Sequence, residues 1–415
     1  MKKYLIGSLV ACTFLSGAGF KVPEQSSDSL ALLNSNVAKS FGADAAYLNP
    51  ANMIFLDDPR HQFETSLTYF QLDNVKYTHN DGKKYASKKA KALVPAFHFV
   101  SPEYMSNLKF GLSLVVPAGM SMRWDEDLPK ATSKKFDLKV VELNPSIAYR
   151  VTDSLAIGFG LRAVYTKGEA TQDVAILAPL KGSQNIKGDG VNFGYNIALT
   201  YKPIEKLNVA ATYRSKVDMK LKGDTEIYAP ALGLMPSGSY IGKAKLNVPL
   251  PASLNLALSY EIKDTTIMFA YEKTYWSAWK ELNFDYPDAS ADHSKNRVFK
   301  AFDESKTRNW KDTSAYRFGV SHNATSKLRV MASVVFDEAA SLSSTTSFDL
   351  PDTKATTYAT GINYKVNDDL ELAAGYFYQD RKKRDVKYYG GHPHPNGTFE
   401  KGNAQAINLG VKYKF

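Results

Sequence analysis

Few residues in this sequence combine the type and spacing that covalent chemistry needs. Gly390-Gly391-His392-Pro393-His394 offers two imidazoles to a metal ion, but no carboxylate or thiolate stands nearby to complete a ligand set. Gly158 and Gly160 imitate part of a dinucleotide fingerprint. They alternate with Ile157, Phe159 and Leu161, however, which is the pattern of a strand and not of a strand-to-helix turn. Of the seven histidines, His98 sits in an alternating segment and matches no partner for nucleophilic catalysis. The one cysteine, Cys12, falls in the first twenty residues, inside a segment that reads as a cleaved leader. The mature chain therefore offers no thiol nucleophile, disulfide or cysteine-bound metal. The expectation is no enzymatic activity, no metal and no cofactor. What remains are cations among apolar strands. Arg162 and Arg214 face away from their apolar neighbours by parity and could hold a carboxylate. The competing use is a structural ion pair with Glu142 or Glu371.

The elements that position these residues follow from the period of the sequence. The chain has 415 residues and 23% charged residues, and its mean hydropathy is −0.31. A helical membrane protein needs runs of about 18 or more apolar residues, and none occurs beyond the N-terminus. Aromatic residues make up 12%, too many for a disordered chain. From about residue 60 the chain alternates with period two. Val191, Phe193, Tyr195, Ile197 and Leu199 alternate with Asn192, Gly194, Asn196 and Ala198, as a strand with two chemically different faces requires. Fourteen such segments fall near 61–72, 92–101, 107–117, 138–150, 154–167, 188–202, 206–221, 248–262, 265–275, 309–322, 326–336, 355–366, 369–380 and 402–415.

Short turns alternate strictly with long connections, the latter near 73–91, 118–137, 168–187, 222–247, 276–308, 337–354 and 381–401. That asymmetry and the even strand count predict an all-β fold, a 14-stranded antiparallel transmembrane β-barrel of the bacterial outer membrane. Closure is required, because an open sheet edge in hydrocarbon leaves backbone groups unpaired. Tyr149, Tyr201, Tyr260 and Tyr364 precede short turns and predict an aromatic girdle.

The remainder is not barrel. Met1-Lys2-Lys3 followed by the apolar run to Leu15 and Ser16-Gly17-Ala18 reads as a signal peptide over residues 1–18, cleaved next to Ala18. Leu9-Val10-Ala11-Cys12 also fits a lipoprotein box, but the apolar run continues past the cysteine. Loss of Lys2 and Lys3 lowers the net charge from +10 to +8. The basic runs at Lys83-Lys84, Lys88-Lys89-Lys91 and 381–384 are loop tips, which suit lipid phosphates and not nucleic acid. Residues 19–60 do not alternate and cannot sit in lipid, so they are expected in the periplasm or as a plug inside the barrel, ahead of the barrel proper at 61–415. Two outer loops are apolar: Ile176, Leu177 and Leu180 in the third, and Ile227, Tyr228, Leu232, Leu234 and Met235 in the fourth. Together they predict a greasy groove or lid.

At this point the sequence resembles the FadL/TodX family of outer-membrane transporters for long-chain fatty acids and other hydrophobic compounds. Ala18-Gly19-Phe20 looks like that family's mature N-terminus, with Glu24-Gln25-Ser26 in register. Asn49-Pro50-Ala51 matches its N-P-A motif, and Pro117-Ala118-Gly119 is similar to a motif after the third strand. Tyr213-Arg214-Ser215 through Gly223, Pro251-Ala252-Ser253, Trp276-Ser277-Ala278-Trp279 with Leu282, and Lys311-Asp312 with Tyr316-Arg317 follow in order. The last motif carries two inserted residues. One departure is that 29–38 lacks the family's glycines.

The resemblance implies passive uptake without cofactor. A ligand would land in the loop groove and reach a lumen pocket closed by a hatch containing Gly19, Phe20, Asn49, Pro50 and Ala51. It would leave sideways through a kink in the third strand, near Phe110–Val116 with Pro117 and Gly119. Lys311 and Lys167 map to basic residues for a carboxylate. Lys311 points inward by parity, and Lys167 does so only if its strand has ended or bulged. Expected partners are a long-chain fatty acid or another hydrophobic small molecule, with outer-membrane lipid and lipopolysaccharide around a monomer. The alternatives are a surface receptor or adhesin, or a general porin.

Overall fold

The computed structural model describes residues 19–105, 107–177, 180–387 and 395–415, without the side chains of 175–180. The expected signal peptide and the His392–His394 pair lie outside the described residues. No helix is long and apolar enough to cross a membrane, and the chain crosses with strands.

Fourteen antiparallel strands close into a barrel. They are β1 (Gln62–Leu72), β2 (Ala90–Val100), β3 (Leu108–Arg123), β4 (Lys135–Thr152), β5 (Leu155–Leu177) and β6 (Leu180–Ile204). β7 comes in two pieces (Leu207–Arg214 and Val217–Tyr228), as does β8 (Tyr240–Leu250 and Ser253–Ile262). The rest are β9 (Thr265–Thr274), β10 (Thr313–Asn323), β11 (Leu328–Asp337), β12 (Ala355–Lys365), β13 (Leu370–Arg381) and β14 (Gly402–Lys414). Each pairs with its neighbour in sequence, and β1 closes on β14 in unbroken register from Gln62↔Lys414 to Leu72↔Ala404. Short and long connections alternate as expected except between β5 and β6, which meet in a hairpin.

Each strand has two faces because it has two solvents. Ile157, Phe159 and Leu161 point out and are exposed, while Ala156, Gly158 and Arg162 point in. The strand ends differ from the sequence reading on one side. The expected third outer loop at 168–187 is strand, since β5 and β6 continue as a hairpin to Leu177↔Leu180. The fourth shortens to the stretch between Tyr228 and Tyr240. Above the lipid the outward residues become Lys167, Glu169 and Asp173, so the apolar contrast fades. Inward Ala170, Gln172 and Val174 stay buried and keep the strand geometry.

Residues 19–56 run through the lumen against the inner wall. Ser26 caps the short helix Ser27–Ala31 with a capping box. The inward glycines give this segment room: a Cβ at Gly111 would lie 2.6 Å from Ala46 Cβ, and one at Gly158 2.6 Å from the backbone nitrogen of Ala51. Asn49 caps the Pro50–Phe55 turn by accepting from Ala51 N at 3.1 Å. It also donates to Val37 O at 2.8 Å and Thr200 Oγ1 at 2.9 Å. Chemistry thus explains part of Asn49-Pro50-Ala51: a cap, a first helical residue, and a Pro50–Ala51 backbone seated on a glycine of β5.

A candidate ligand site in the lumen and the open edge of β3

β3 leaves its neighbour part-way up. It pairs with β2 only from Val100↔Gly111 to Phe97↔Leu114. Its pairing with β4 jumps between Val115 and Ala118, skipping Val116 and Pro117. Proline has no N–H to give to a ladder, so Pro117 sits where the register breaks. Phe110 lies below the break, on the regular part of the strand, pointing out beside Tyr104.

The edge that β2 vacates is taken by the N-terminal segment. Gly119 N donates to Phe20 O at 3.0 Å and Val22 N to Pro117 O at 2.8 Å, with Lys21 bridged to Ala118. Gln25 adds two bonds to the Val116 backbone, Val116 N to Oε1 at 2.9 Å and Nε2 to Val116 O at 3.0 Å. His98 of β2 reaches across to Ser113 Oγ and to Gln25 O, each at 2.9 Å.

Phe20 is fully buried. Its ring meets Trp276 and Trp279 edge-on, at centroid distances of 5.1 and 5.6 Å, and Trp310 contacts both indoles at steep angles. Such aromatic pairs add about 0.5–1.5 kcal/mol each beyond area burial. Gly19, at φ +69°, turns the chain here; its Cα faces the Trp276 ring, so a side chain would be both strained and in collision. Its N–H donates to Asp352 Oδ1 at 3.2 Å.

Arg162 and Arg214 both point inward and meet at one carboxylate. Arg162 Nη2 lies 2.9 Å from Glu142 Oε2, and Arg214 Nη2 bonds Oε1 of the same residue. The Arg214 guanidinium also lies over the Tyr47 ring, 4.0 Å from its centroid. These two arginines, Lys21, Leu250 and Pro117 line a cavity of about 610 Å³. A second cavity of about 640 Å³ shares Lys21, Val22 and Pro23 with the first and holds Arg317, Glu24 and Asp337. Glu272 joins the two: it pairs with Lys21, and Arg317 Nη2 reaches it at 2.6 Å. Burial pushes the Glu24 carboxyl up to about 7 against the opposing pull of Arg317.

The two lysines carried over for a head group are elsewhere. Lys311 is exposed, two residues before β10 begins at Thr313. The strand begins only after Lys311, so parity does not set the direction of its side chain. Lys167 points outward, because β5 neither ends nor bulges there: it pairs in register with Lys139 and Asp189.

The described residues of the fourth-loop apolar stretch divide between a buried cluster and an exposed tip. Ile227 is buried in a cluster with Val174, Ile186, Val298, Phe299 and Phe302, beneath the Arg297–Asp303 helix of the fifth outer loop. Asn296 caps that helix and donates to Ala229 O, Pro230 O and Pro236 O at 3.3, 3.1 and 2.8 Å. Tyr228, Leu232 and Leu234 are exposed at the tip, and Met235 is half-buried. Ile176, Leu177 and Leu180 have side chains outside the described residues.

Residues 8–415 match the family of outer membrane protein transport proteins (OMPP1/FadL/TodX). The chain belongs to this family. It is similar to outer membrane protein P1 of Haemophilus influenzae, 30% identical over 335 residues that cover 72% of this chain and 69% of that protein. A long-chain fatty acid transport protein of Escherichia coli is 25% identical over 96% of this chain and 94% of its own length. The crystal structure of a Pseudomonas aeruginosa FadL homologue has a TM-score of 0.81 at 19% identity, covering 96% of this chain and 100% of that one. That of the Ralstonia pickettii toluene transporter TbuX gives 0.69 at 15% identity, covering 95% and 99%. This FadL/TodX-type barrel is a bacterial outer-membrane transporter of hydrophobic compounds, not an enzyme.

In this member of the family, sequence reasoning gave no site role to Lys21, Glu24, Glu272, Arg317 or His98. Glu272 and Arg317 were legible as inward charges by parity, on adjacent strands that pair at Ala270↔Arg317. Lys21 and Glu24 carried no signal, because their positions depend on where an irregular segment lies in the lumen.

Proposed function

We propose that this barrel carries long-chain fatty acids passively into the membrane, and that the cavity beside Arg162 and Arg214 receives the carboxylate. The supporting observation is the sharing of one carboxylate, Glu142, by two guanidinium groups. An incoming carboxylate would give Arg214 a partner of its own, and charge-assisted bonds of this kind are the strong ones. The alkyl chain gains about 0.8 kcal/mol for each CH₂ removed from water. In this reading residues 1–18 are a leader and residues 19–60 are a hatch, in which Gly19, Phe20 and the Asn49-Pro50-Ala51 turn hold the closed position. The exposed Tyr228, Leu232 and Leu234 are the landing surface. Release is sideways between β2 and β3 beyond Leu114, past Pro117 and Gly119, once Phe20–Val22 leave the β3 edge. The barrel works as a monomer, its outward belt in contact with outer-membrane lipid and lipopolysaccharide.

The test is calorimetric binding of oleate and methyl oleate to the purified mature protein and to Arg214→Gln. Losing a hydrogen bond to a charged group predicts oleate weakened roughly 10- to 100-fold, with methyl oleate unchanged. Equal loss of both ligands, or of neither, overturns the carboxylate site. For the exit, a disulfide in K21C/A118C should block delivery to the bilayer until reduced. Uptake by the oxidised protein at the parent rate sinks the lateral route.

A further inference from the structure

We propose that one outer wall of the barrel, from β4 to β8, carries a binding site for the phosphorylated headgroup of lipopolysaccharide, built on Lys139, Lys167, Lys220 and Lys222. The inference deepens the lipid contact proposed above and is independent of the compound transported.

The site begins where the lipid-facing belt ends. Val141, Tyr165 and Val191 form one outward row across β4, β5 and β6. One step further out the row is Lys139, Lys167, Asp189, Lys222, Lys245 and Asp285, each in register with the next. Neighbouring strands are spaced about 4.8 Å apart, so the ammonium groups can converge on one headgroup. Lys220 adds a cation on β7, one outward position below Lys222.

The pairing of these charges separates them from an ordinary solvated surface. In the row above, the acids already have partners: Glu169 with Lys135 at 2.5 Å, Asp224 with Lys243 at 2.6 Å and Asp137 with Arg123 at 3.4 Å. Below them, Lys245 faces Asp285 at 3.5 Å. Among the described residues Lys139, Lys167, Lys220 and Lys222 have no ion-pair partner, although Asp189 stands between Lys167 and Lys222 in register. The row therefore holds a surplus of positive charge at the headgroup level, where each such lysine attracts an anionic lipid surface.

The opposite wall shows that this is not a general property of the barrel rim. Beyond outward Ile407, Tyr69 and Leu93, the equivalent row is Tyr358, Tyr378, Gln405, Gln71 and Lys91. It has one cation, at its end. A lipid bound to the basic wall would therefore orient the barrel, with the fourth-loop tip on the same side.

The experiment uses the purified mature protein, its quadruple variant K139Q/K167Q/K220Q/K222Q and the matched K139R/K167R/K220R/K222R. Binding is measured with lipopolysaccharide, with enzymatically dephosphorylated lipopolysaccharide and with phosphatidylglycerol. Heat-modifiable migration confirms that each barrel is folded, and oleate binding serves as an independent reference. Four lysines at the headgroup level predict a loss of up to roughly 1,000-fold in lipopolysaccharide affinity for the glutamine variant. The arginine variant should bind as the parent does, and oleate binding should not change. Dephosphorylated lipid should bind weakly to all three proteins. Parent-level binding by the glutamine variant overturns the site, as does equal affinity for dephosphorylated lipid or tighter binding of phosphatidylglycerol. A parent that binds no lipopolysaccharide overturns the lipid contact itself.

Discussion

The carboxamide of Gln25 satisfies both backbone groups of Val116, accepting from its N–H at 2.9 Å and donating to its carbonyl at 3.0 Å. A side chain of the N-terminal segment thus stands in for the strand neighbour that β3 lost. Gln25→Leu keeps the volume and removes both bonds. Each buried group left unpaired costs about 1–3 kcal/mol. The Val116 amide is expected to exchange with deuterium at least tenfold faster, while the amides of β10 to β13 keep their protection. Unchanged exchange at Val116 would show that the edge is held by Phe20–Val22 alone.

Gly158 tests how the lumen segment is seated. Gly158→Val puts side-chain atoms where the Pro50 and Ala51 backbone lies, and backbone cannot swing away as a flexible side chain can. Overpacking of this kind costs about 1–3 kcal/mol. The barrel should still fold, while the N-terminal segment becomes sensitive to protease. Gly402→Ala, where an added Cβ meets nothing within 4 Å, is the matched control and should be neutral.

Glu24 makes the seating depend on pH. Its carboxyl rises from an ordinary 4.5 to about 7, chiefly through burial, with Arg317 opposing and Asp337 and Glu272 reinforcing. A raised carboxyl pKa means that the seated form holds the proton more tightly. Its contribution is complete below about pH 4.5 and fades as pH rises through 7, with a span of up to about 3 kcal/mol. Deuterium exchange over residues 20–26 should therefore be slower at pH 5 than at pH 8, and Glu24→Gln should remove the difference. Faster exchange at pH 5 in the parent would reverse the sign and refute the account.

Asn296 ties the fifth outer loop to the fourth. Asn296→Ala loses the cap on Val298 N and Phe299 N together with three donations to carbonyls. A lost cap alone costs about 0.5–2 kcal/mol. Limited proteolysis at the exposed Leu234 tip should accelerate several-fold, with strand content by circular dichroism unchanged. Equal cleavage rates would place the rigidity of the tip elsewhere.

Sequence alone determined what repeats and what is local. Strand number, parity and the inward direction of Arg162 and Arg214 follow from period two, because lipid and lumen impose opposite chemistry on successive residues. The Glu142 pairing was legible as a possibility for the same reason. Sequence could not place what depends on contacts remote along the chain. The resemblance maps Lys167 and Lys311 to a carboxylate site, yet Lys167 keeps the outward direction its parity gives it and Lys311 lies beyond its strand. Lys167 instead joins lysines from three other strands in a row that exists only because strand register aligns them. Phe20 in its tryptophan cage, and Gln25 on Val116, rest on a segment without periodicity, positioned by glycines of the inner wall. Tertiary structure decided these because a barrel brings residues 20, 119, 276 and 310 together through closure, and no local pattern encodes closure distances.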